Sequence, residues 1–218
     1  MTAATAEARG IIFDMDGVLI DSGAHHRDAW RLLLGDIGVP PPPEYWRLTI
    51  GRPAEEAVPL LLGREVAHEE AVELAARKRE LYAQLTARGL QPIRGAPTFV
   101  ESLARQAVPR AVATSASRRD VEALLGEVGL RRFFEVIVTA EDVRWGKPNP
   151  EVYLKAAAGL GLPPKTCLVF EDSLVGVHAA RNAGMRVIGV TTAHSGRELI
   201  TAGAERAIDD FQDFAWPV

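Results

Sequence analysis

Short runs of apolar residues recur along the chain and alternate with stretches of helical period. Near-continuous apolar runs of this kind are typical of strands that are buried on both faces of a parallel sheet. They predict strands at 10–13, 110–113, 135–139, 166–170 and 186–190. Amphipathic patterns between the later runs predict helices at 98–106, 118–128, 150–160 and 173–183. The alternation from residue 92 onward predicts an α/β fold with a doubly wound, Rossmann-like parallel sheet.

Residues 21 to about 90 interrupt this alternation. They predict amphipathic helices at 25–36, 54–62 and 69–87, with a stiff proline loop at 40–43 and no convincing strand. We therefore predict a catalytic core domain of residues 1–19 and 91–218 and a small all-α cap domain of residues 20–90. The ends of the insertion, near Leu19 and Gln91, should meet beside the carboxyl end of the first strand. Ligands of open parallel sheets bind at that edge, so the cap should cover the site.

Composition excludes several classes of protein. The 218 residues carry a formal net charge of −4, which argues against broad capture of nucleic acid. No segment approaches the ~20 uncharged apolar residues of a membrane span. The single cysteine, Cys167, lies in an apolar run and has no disulfide partner, which favours a reducing compartment. These features predict a cytoplasmic protein that binds neither nucleic acid nor a membrane. We further expect a monomer or a weak dimer whose partner is a small molecule.

The first strand ends in the segment Asp14-Met15-Asp16-Gly17, which places two carboxylates where core packing would not select charge. A calcium-binding helix-loop-helix is a poor alternative, because apolar residues follow where further ligands should stand. Solvated turn residues are the other alternative. This segment alone leaves a functional and a structural role equally open.

Reactive groups also follow later strands, at Thr114, at Lys147 and at Glu171-Asp172. Each alone has a structural explanation, since threonine and aspartate cap helices and lysine is common at surfaces. The chain has only four lysines among its 25 basic residues, however, and one stands in Gly146-Lys147-Pro148. Caps explain single residues but not the set, so these strand ends predict one reactive site.

Together these segments resemble the four ordered motifs of the haloacid dehalogenase-like superfamily, in its branch of helical-cap phosphatases and β-phosphoglucomutase-like enzymes. The matching segments are 14–22, 112–115, 146–148 and 170–173, and the likeness spans nearly the whole chain. The resemblance implies that Asp14 attacks phosphorus and that Asp16 serves as general acid and then base. It also implies that Thr114 and Lys147 hold the phosphoryl oxygens, with Ser115 as a further substrate contact.

The resemblance further implies a Mg²⁺ ion held by Asp14, the main-chain carbonyl of Asp16 and Asp172, with Glu171 nearby. An oxygen-only ligand set suits magnesium, and no histidine and cysteine cluster indicates zinc. We also hypothesise that Asp16, facing the leaving oxygen, has a raised pKa while Asp14 stays ionised beside the metal.

Three cap residues are candidates for substrate binding: His26, Arg52 and Lys78. The spacing of His26 and Trp30 after the first motif, with Arg77-Lys78 and Tyr82, resembles the cap of β-phosphoglucomutase, although capped phosphatases share the His/Trp spacing. Arg52 lies in a predicted cap loop and could fork onto a phosphate or carboxylate. The structural alternative makes Trp30 a core anchor, His26 a helix-surface residue and Lys78 a solvated charge.

The leading hypothesis is therefore a Mg²⁺-dependent phosphatase that hydrolyses a small phosphorylated metabolite, such as a sugar phosphate, through an aspartyl phosphate. The alternative is a β-phosphoglucomutase-like isomerase, in which a sugar hydroxyl replaces water as acceptor. In either case the expected partner is a small-molecule phosphate ester. Dehalogenases of the superfamily lack the second aspartate of the first motif, whereas Asp16 is present. A non-catalytic binding protein would have no need of the whole set.

Overall fold

The computed structural model describes residues 8–217. Its centre is a six-stranded parallel sheet with strand order β3-β2-β1-β4-β5-β6. The strands are β1 (Gly10–Phe13), β2 (Arg110–Ala113), β3 (Val136–Val138), β4 (Cys167–Glu171), β5 (Arg186–Val190) and β6 (Arg206–Ile208). The strand order reverses direction at β1, where an open α/β sheet forms its ligand crevice.

Within residues 8–217 there are eight α-helices. They are α1 (Gly23–Asp36), α2 (Ala54–Leu62), α3 (His68–Thr86), α4 (Ala96–Arg105), α5 (Arg118–Glu127), α6 (Glu151–Gly159), α7 (Leu174–Asn182) and α8 (Gly196–Ala202). Of these, α1, α2 and α3 belong to the insertion after β1, and the others connect the strands. The predicted α/β fold with an inserted helical cap is confirmed, and the predicted strands and helices are found with ends shifted by up to two residues. Among residues 8–217, no helix has the length and apolar content needed to cross a bilayer.

Successive side chains of the central strands pack into two different cores. Ile11, Phe13 and Phe170 face one side, whereas Ile12 and Val169 face the other. This alternation is the period of two that a strand imposes, and it explains why both faces need helical cover. Phe13 and Phe170, on neighbouring strands, stack with ring centroids 5.3 Å apart. The strands next to the site are thus rigidly held.

The insertion leaves the sheet directly after β1 and returns beside it. The main-chain N–H of Asp21 donates to the carbonyl of Gln91 over 2.9 Å, and that of Ile93 donates to Leu19 over 3.0 Å. The predicted closeness of the two ends is confirmed. The domain limits at residues 19, 20, 90 and 91 stay a prediction, and residues 1–7 and 218 of the predicted core lie outside the described part of the chain.

Two elements near the C-terminus were not predicted from the sequence, namely α8 and β6. The strand has only three residues and lies at the sheet edge, so its apolar pattern is short. The helix begins with a capping box in which Ser195 and Glu198 bond each other's main chain. That Ser-Xaa-Xaa-Glu spacing was a usable signal in the sequence.

Candidate active site

Four of the predicted core residues converge at the carboxyl edge of the sheet, as their positions at strand ends require. Asp14 follows β1, and its main-chain N–H donates to the carbonyl of Phe170 over 3.0 Å. Glu171 ends β4 and Asp172 follows it. Lys147 comes from the loop between β3 and α6. All four side chains are at most 6% exposed, so their charges must be compensated within the protein.

Lys147 lies between two of these carboxylates. Its Nζ is 2.8 Å from Oδ1 of Asp14 and 2.6 Å from Oε1 of Glu171. Burial opposes the charged ammonium, but the two carboxylates outweigh it and hold the pKa of Lys147 well above its usual value. Lys147 is therefore a permanent buried cation that partly neutralises the site.

Glu171 has both carboxylate oxygens engaged. Oε1 also accepts from the hydroxyl of Tyr153 over 3.1 Å, and Oε2 accepts from the N–H and the hydroxyl of Ser173 over 2.8 and 2.9 Å. A Cβ on Gly176 would lie 1.6 Å from Oε1, so only glycine allows this approach. Glu171 thus ties Lys147 to the start of α7, where Ser173 is the N-cap.

Of the buried carboxylates of Asp14, Glu171 and Asp172, those of Asp14 and Asp172 line the cavity between core and cap, and the pKa values of both are raised. Burial raises the pKa of Asp14 to about 7, with Lys147 opposing the shift and Glu171 adding to it. Burial also raises the pKa of Asp172, followed in effect by the negative charges of Glu171 and Asp14. Excess negative charge in a buried group is what a bound cation would relieve.

Carboxylate oxygens of Asp14, Glu171 and Asp172 lie within 4.8 Å of one another. The set is all oxygen and anionic, which fits a hard divalent cation such as Mg²⁺. The side chain of Asp16 is not in this group, so only its main chain could belong to the predicted ligand set. The residues present fit the predicted ion.

Asp16 points instead toward the cap. Its Oδ1 accepts from the hydroxyl of Ser22 over 2.6 Å and lies 3.1 Å from Nε2 of His26. Burial acts to raise the pKa of Asp16, but His26, Ser22 and the charge of Lys78 outweigh it and lower the pKa to about 2. The hypothesis of a raised pKa at Asp16 is wrong for this arrangement, because the hydrogen bonds and cationic charge lie next to Asp16. An ionised Asp14 beside a bound metal stays a prediction.

The polar chain continues into the cap through His26 and Lys78. Nζ of Lys78 lies 2.6 Å from Nδ1 of His26, and His26 stacks on Tyr82 with ring centroids 4.2 Å apart. Because the ammonium donates to Nδ1, neutral His26 carries its proton on Nε2 and donates to Asp16. Lys78 is only 6% exposed, and burial lowers its pKa to about 8. The alternative of a solvated helix charge is wrong for Lys78, whereas Trp30 is the buried anchor that the alternative describes.

Thr114 and Ser115 follow β2 and face the same cavity. The Thr114 hydroxyl accepts from the N–H of Ala116 over 3.1 Å, which leaves its proton free for another acceptor. The Ser115 hydroxyl donates to the carbonyl of Gly51 in the cap over 3.0 Å. In this closed arrangement, Ser115 therefore holds the cap loop, and its predicted contact with substrate stays a prediction.

A cavity of about 740 Å³ lies between core and cap. Of the predicted site residues, Lys147 and Glu171 lie outside its lining, while a smaller adjoining cavity of about 170 Å³ is lined in part by Lys147. The predicted residues that line the large cavity are Asp14, Asp16, His26, Arg52, Lys78, Thr114, Ser115 and Asp172. The structure therefore gathers the motif residues and the cap candidates around one space.

Residues 11–190 match the family model described as haloacid dehalogenase-like hydrolase. The chain belongs to the haloacid dehalogenase-like hydrolase family. It is 34% identical over 213 residues to validoxylamine A 7'-phosphate phosphatase of Streptomyces hygroscopicus subsp. limoneus, covering 94% of this chain and 95% of that protein. It is 33% identical over 181 residues to fructose-1-phosphate phosphatase YqaB of Escherichia coli, covering 83% of this chain and 95% of the relative.

A solved hydrolase shows the same architecture over most of its length. The crystal structure of a hydrolase from Pseudomonas syringae superposes with a TM-score of 0.87 at 29% identity, covering 94% of this chain and 95% of that chain. The resemblance to the superfamily that the four motifs indicated is therefore confirmed.

Several residues around the site were missed by the sequence analysis. Tyr153 and Gly176 support Glu171, and Thr192 and His194 contact Asp172. Thr192 follows the end of β5, so the strand-end rule that found Thr114 could have found it. His194 and Tyr153 carried no such positional signal.

Proposed function

We propose that this chain is a Mg²⁺-dependent phosphatase that hydrolyses a small phosphorylated metabolite, with a sugar phosphate as the preferred class. The single observation that carries the proposal is the Asp14 carboxylate at the cavity floor, hydrogen-bonded through Oδ1 to the buried Lys147 and grouped with Asp172. Two relatives that cover most of the chain are named as phosphatases of phosphorylated sugar-like compounds, which supports the substrate class.

In the first proposed step, a carboxylate oxygen of Asp14 bonds to phosphorus while the bond from phosphorus to the ester oxygen breaks. The leaving alkoxide takes a proton from Asp16. In the second step water attacks phosphorus, Asp16 accepts the water proton, and the bond to Asp14 breaks to release inorganic phosphate. Proton transfer by one residue in opposite directions keeps both steps balanced.

The low pKa of Asp16 in this arrangement keeps the carboxylate ionised, which is the form that the second step requires. A phosphate dianion entering beside Asp16 would add negative charge and raise that pKa, which is the direction the acid step requires. In this proposal Thr114, which lines the cavity, donates its hydroxyl proton to a phosphoryl oxygen. Magnesium, when bound, supplies positive charge that offsets the repulsion between Asp14 and the phosphate.

A panel of phosphate esters tests the proposal directly. Release of inorganic phosphate from hexose, pentose and two-carbon phosphates should require Mg²⁺ and should stop when EDTA is added. Asp14→Asn should remove the activity, and Asp36→Asn, at an exposed cap position paired with Arg77, is the matched control that should keep it. Lack of turnover for every ester in the panel would favour a binding protein instead.

The isomerase remains a second candidate because of one observation, the contact chain from Asp16 through His26 to Lys78. A sugar hydroxyl entering beside Asp16 could replace water as the acceptor of the phosphoryl group. Incubation with β-glucose 1-phosphate and a bisphosphate primer separates the two. Inorganic phosphate without glucose 6-phosphate would exclude the isomerase.

A further inference from the structure

The loop that follows β5 contacts the candidate metal site from a side that none of the four motifs occupies. Oγ1 of Thr192 lies 2.6 Å from the carbonyl oxygen of Gly17 and 3.1 Å from Oδ2 of Asp172. Nδ1 of His194 lies 3.0 Å from the carbonyl oxygen of Asp172. One loop thus contacts both the main chain and the carboxylate of Asp172, and it also reaches the first motif.

Gly17 packs against both Asp172 and Thr192. It has a φ of +73°, and a Cβ at this position would lie 1.9 Å from Oδ2 of Asp172 and 2.9 Å from Oγ1 of Thr192. Glycine therefore lets the Asp172 carboxylate and the Thr192 hydroxyl pack directly against the first loop. Three chain segments, from β1, β4 and β5, meet at this point.

The contacts act on one side of the Asp172 carboxylate. Thr192 engages Oδ2, and no residue within 8–217 hydrogen-bonds Oδ1. Thr192 has one hydroxyl proton, which it shares between the carbonyl of Gly17 and Oδ2 of Asp172, with the shorter contact to Gly17. His194, which is 6% exposed, fixes the main chain of Asp172 by donating from Nδ1. The orientation of the carboxylate is therefore set jointly by packing and by these two bonds.

We propose that Thr192 and His194 are positioning residues that set the affinity of the site for its divalent cation by fixing the orientation of Asp172. The inference rests on the proposed function, because it takes Asp172 as a ligand of that cation. Residues that orient a metal ligand are commonly worth about 10- to 100-fold in metal affinity when they are removed. Neither residue touches the reacting atoms in this role.

The two positions should differ in the size of the effect. Thr192 is exposed to the cavity, so water can replace part of its contact, and Thr192→Val should weaken Mg²⁺ binding by roughly 10-fold. His194 is buried, and His194→Leu should weaken binding by roughly 30-fold or more. Thr192→Ser keeps the hydroxyl, and His194→Asn keeps an N–H donor close to the position of Nδ1, so both should bind Mg²⁺ nearly as the natural chain does.

Titration calorimetry of the full chain with MgCl₂, without substrate, measures this affinity. The matched control is Thr191→Val, because the neighbouring Thr191 hydroxyl bonds Asp209 over 2.7 Å and does not line the cavity. A second readout is the Mg²⁺ concentration for half-maximal hydrolysis of p-nitrophenyl phosphate. We expect it to rise in parallel while kcat at saturating Mg²⁺ changes less than about threefold, a split that general loss of structure would not produce.

Thermal unfolding in EDTA identifies a variant that has lost its fold. If either Thr192→Val or His194→Leu is unfolded, the other variant is used for the test. Wild-type affinity in folded Thr192→Val and His194→Leu would overturn the positioning role while leaving the phosphatase proposal intact. A natural chain that neither binds Mg²⁺ nor needs it for turnover would instead overturn the proposed metal site, and the positioning role with it.

Discussion

The core side and the cap side of the cavity are built in opposite ways. On the core side, Asp14, Lys147 and Glu171 are nearly inaccessible to solvent. Lys147, from the loop after β3, bonds both carboxylates at the ends of β1 and β4. On the cap side, the polar groups come from helices and loops and meet the core through separate contacts, such as Ser115 with Gly51 and Glu198 with Arg47. The difference supports the proposal that the chemistry takes place on the core side, while the cap selects the substrate and opens to admit it.

The largest expected effect is at the core nucleophile. Asp14→Asn keeps the shape of the side chain but removes the negative charge that attacks phosphorus, so kcat should fall by roughly 10⁴-fold or more. Lys147 keeps its bond to Glu171, and the fold should survive. Phosphate release and circular dichroism check the two statements. Activity within tenfold of the natural chain would remove Asp14 from its assigned role.

Lys147→Met should damage both activity and stability. It leaves the buried carboxylates of Asp14 and Glu171 without their shared cation, and breaking a buried ion pair typically costs about 3–5 kcal/mol. The expected result is a clearly lower thermal midpoint and turnover reduced by roughly 10³-fold. The exposed Lys155→Met is the control, since its partner Glu151 is a surface residue. Equal thermal midpoints for the two variants would contradict the claim that Lys147 stabilises the buried carboxylates of the core.

A cap-side change with an intermediate effect is Gly51→Ala. Gly51 has a φ of +73°, and a Cβ there would lie 2.4 Å from Oγ of Ser173 and 2.7 Å from Val175, so the closed cap could not form unchanged. We expect kcat/KM for a sugar phosphate to fall by roughly 10- to 100-fold, because closure assembles the site. Gly38→Ala is a matched control, with a φ of +70° and no atom within 4 Å of the added Cβ. Equal losses in both variants would show that backbone strain, and not the core contact, is responsible.

Lys78→Met should affect stability in a pH-dependent way. Burial lowers the pKa of Lys78 from its usual 10.5 to about 8, so the folded protein binds fewer protons than the unfolded chain between these values. The unfavourable burial of the ammonium is complete below pH 8 and disappears as the pH rises toward 10.5. The variant should therefore be more stable at pH 7 by about 1–2 kcal/mol, allowing for the lost contacts with His26 and Trp30.

Denaturant unfolding at pH 7 and pH 10 measures the difference in the free energy of unfolding between Lys78→Met and the natural chain. This difference should become smaller at the higher pH. Substrate binding should weaken in the same variant, since Lys78 lines the cavity. A variant that is less stable than the natural chain at pH 7 would show that the Lys78 contacts outweigh its burial.

The smallest effect is expected at the cap-to-core ion pair of Arg47 and Glu198. The two side chains are 40% and 36% exposed, and ion pairs of this kind contribute little in water. Arg47→Gln should change kcat/KM by less than about threefold, and the change should vanish in high salt. A tenfold loss that persists in 1 M salt would mean that this pair, and not the Gly51 contact, secures the cap.

The core side was predictable from sequence because register places strand ends together. Once the apolar runs identified β1, β2 and β4, the residues following them had to share one edge of the sheet. The same logic did not reach Tyr153 or His194, which approach the site from a helix and from the interior of a loop. The predicted direction of the pKa shift of Asp16 was also wrong, because this pKa depends on how the cap helices pack around the carboxylate.

The cap side could be predicted as helices but not as contacts. The pattern of residues 69–87 indicates a helix, yet it does not say that Lys78 faces inward. Lys78 bonds His26, which lies 52 residues earlier in the chain, and only the packing of α1 against α3 brings the two together.

The central claim is that Asp14 becomes transiently esterified to phosphorus. The natural chain is mixed with Mg²⁺ and a ³²P-labelled sugar phosphate, quenched in acid within the first turnover, digested, and the peptides are separated by mass. The account predicts label on the peptide that contains Asp14, absent in Asp14→Asn and retained in Asp36→Asn. Rapid phosphate release by a natural chain that never carries label at Asp14 would contradict it.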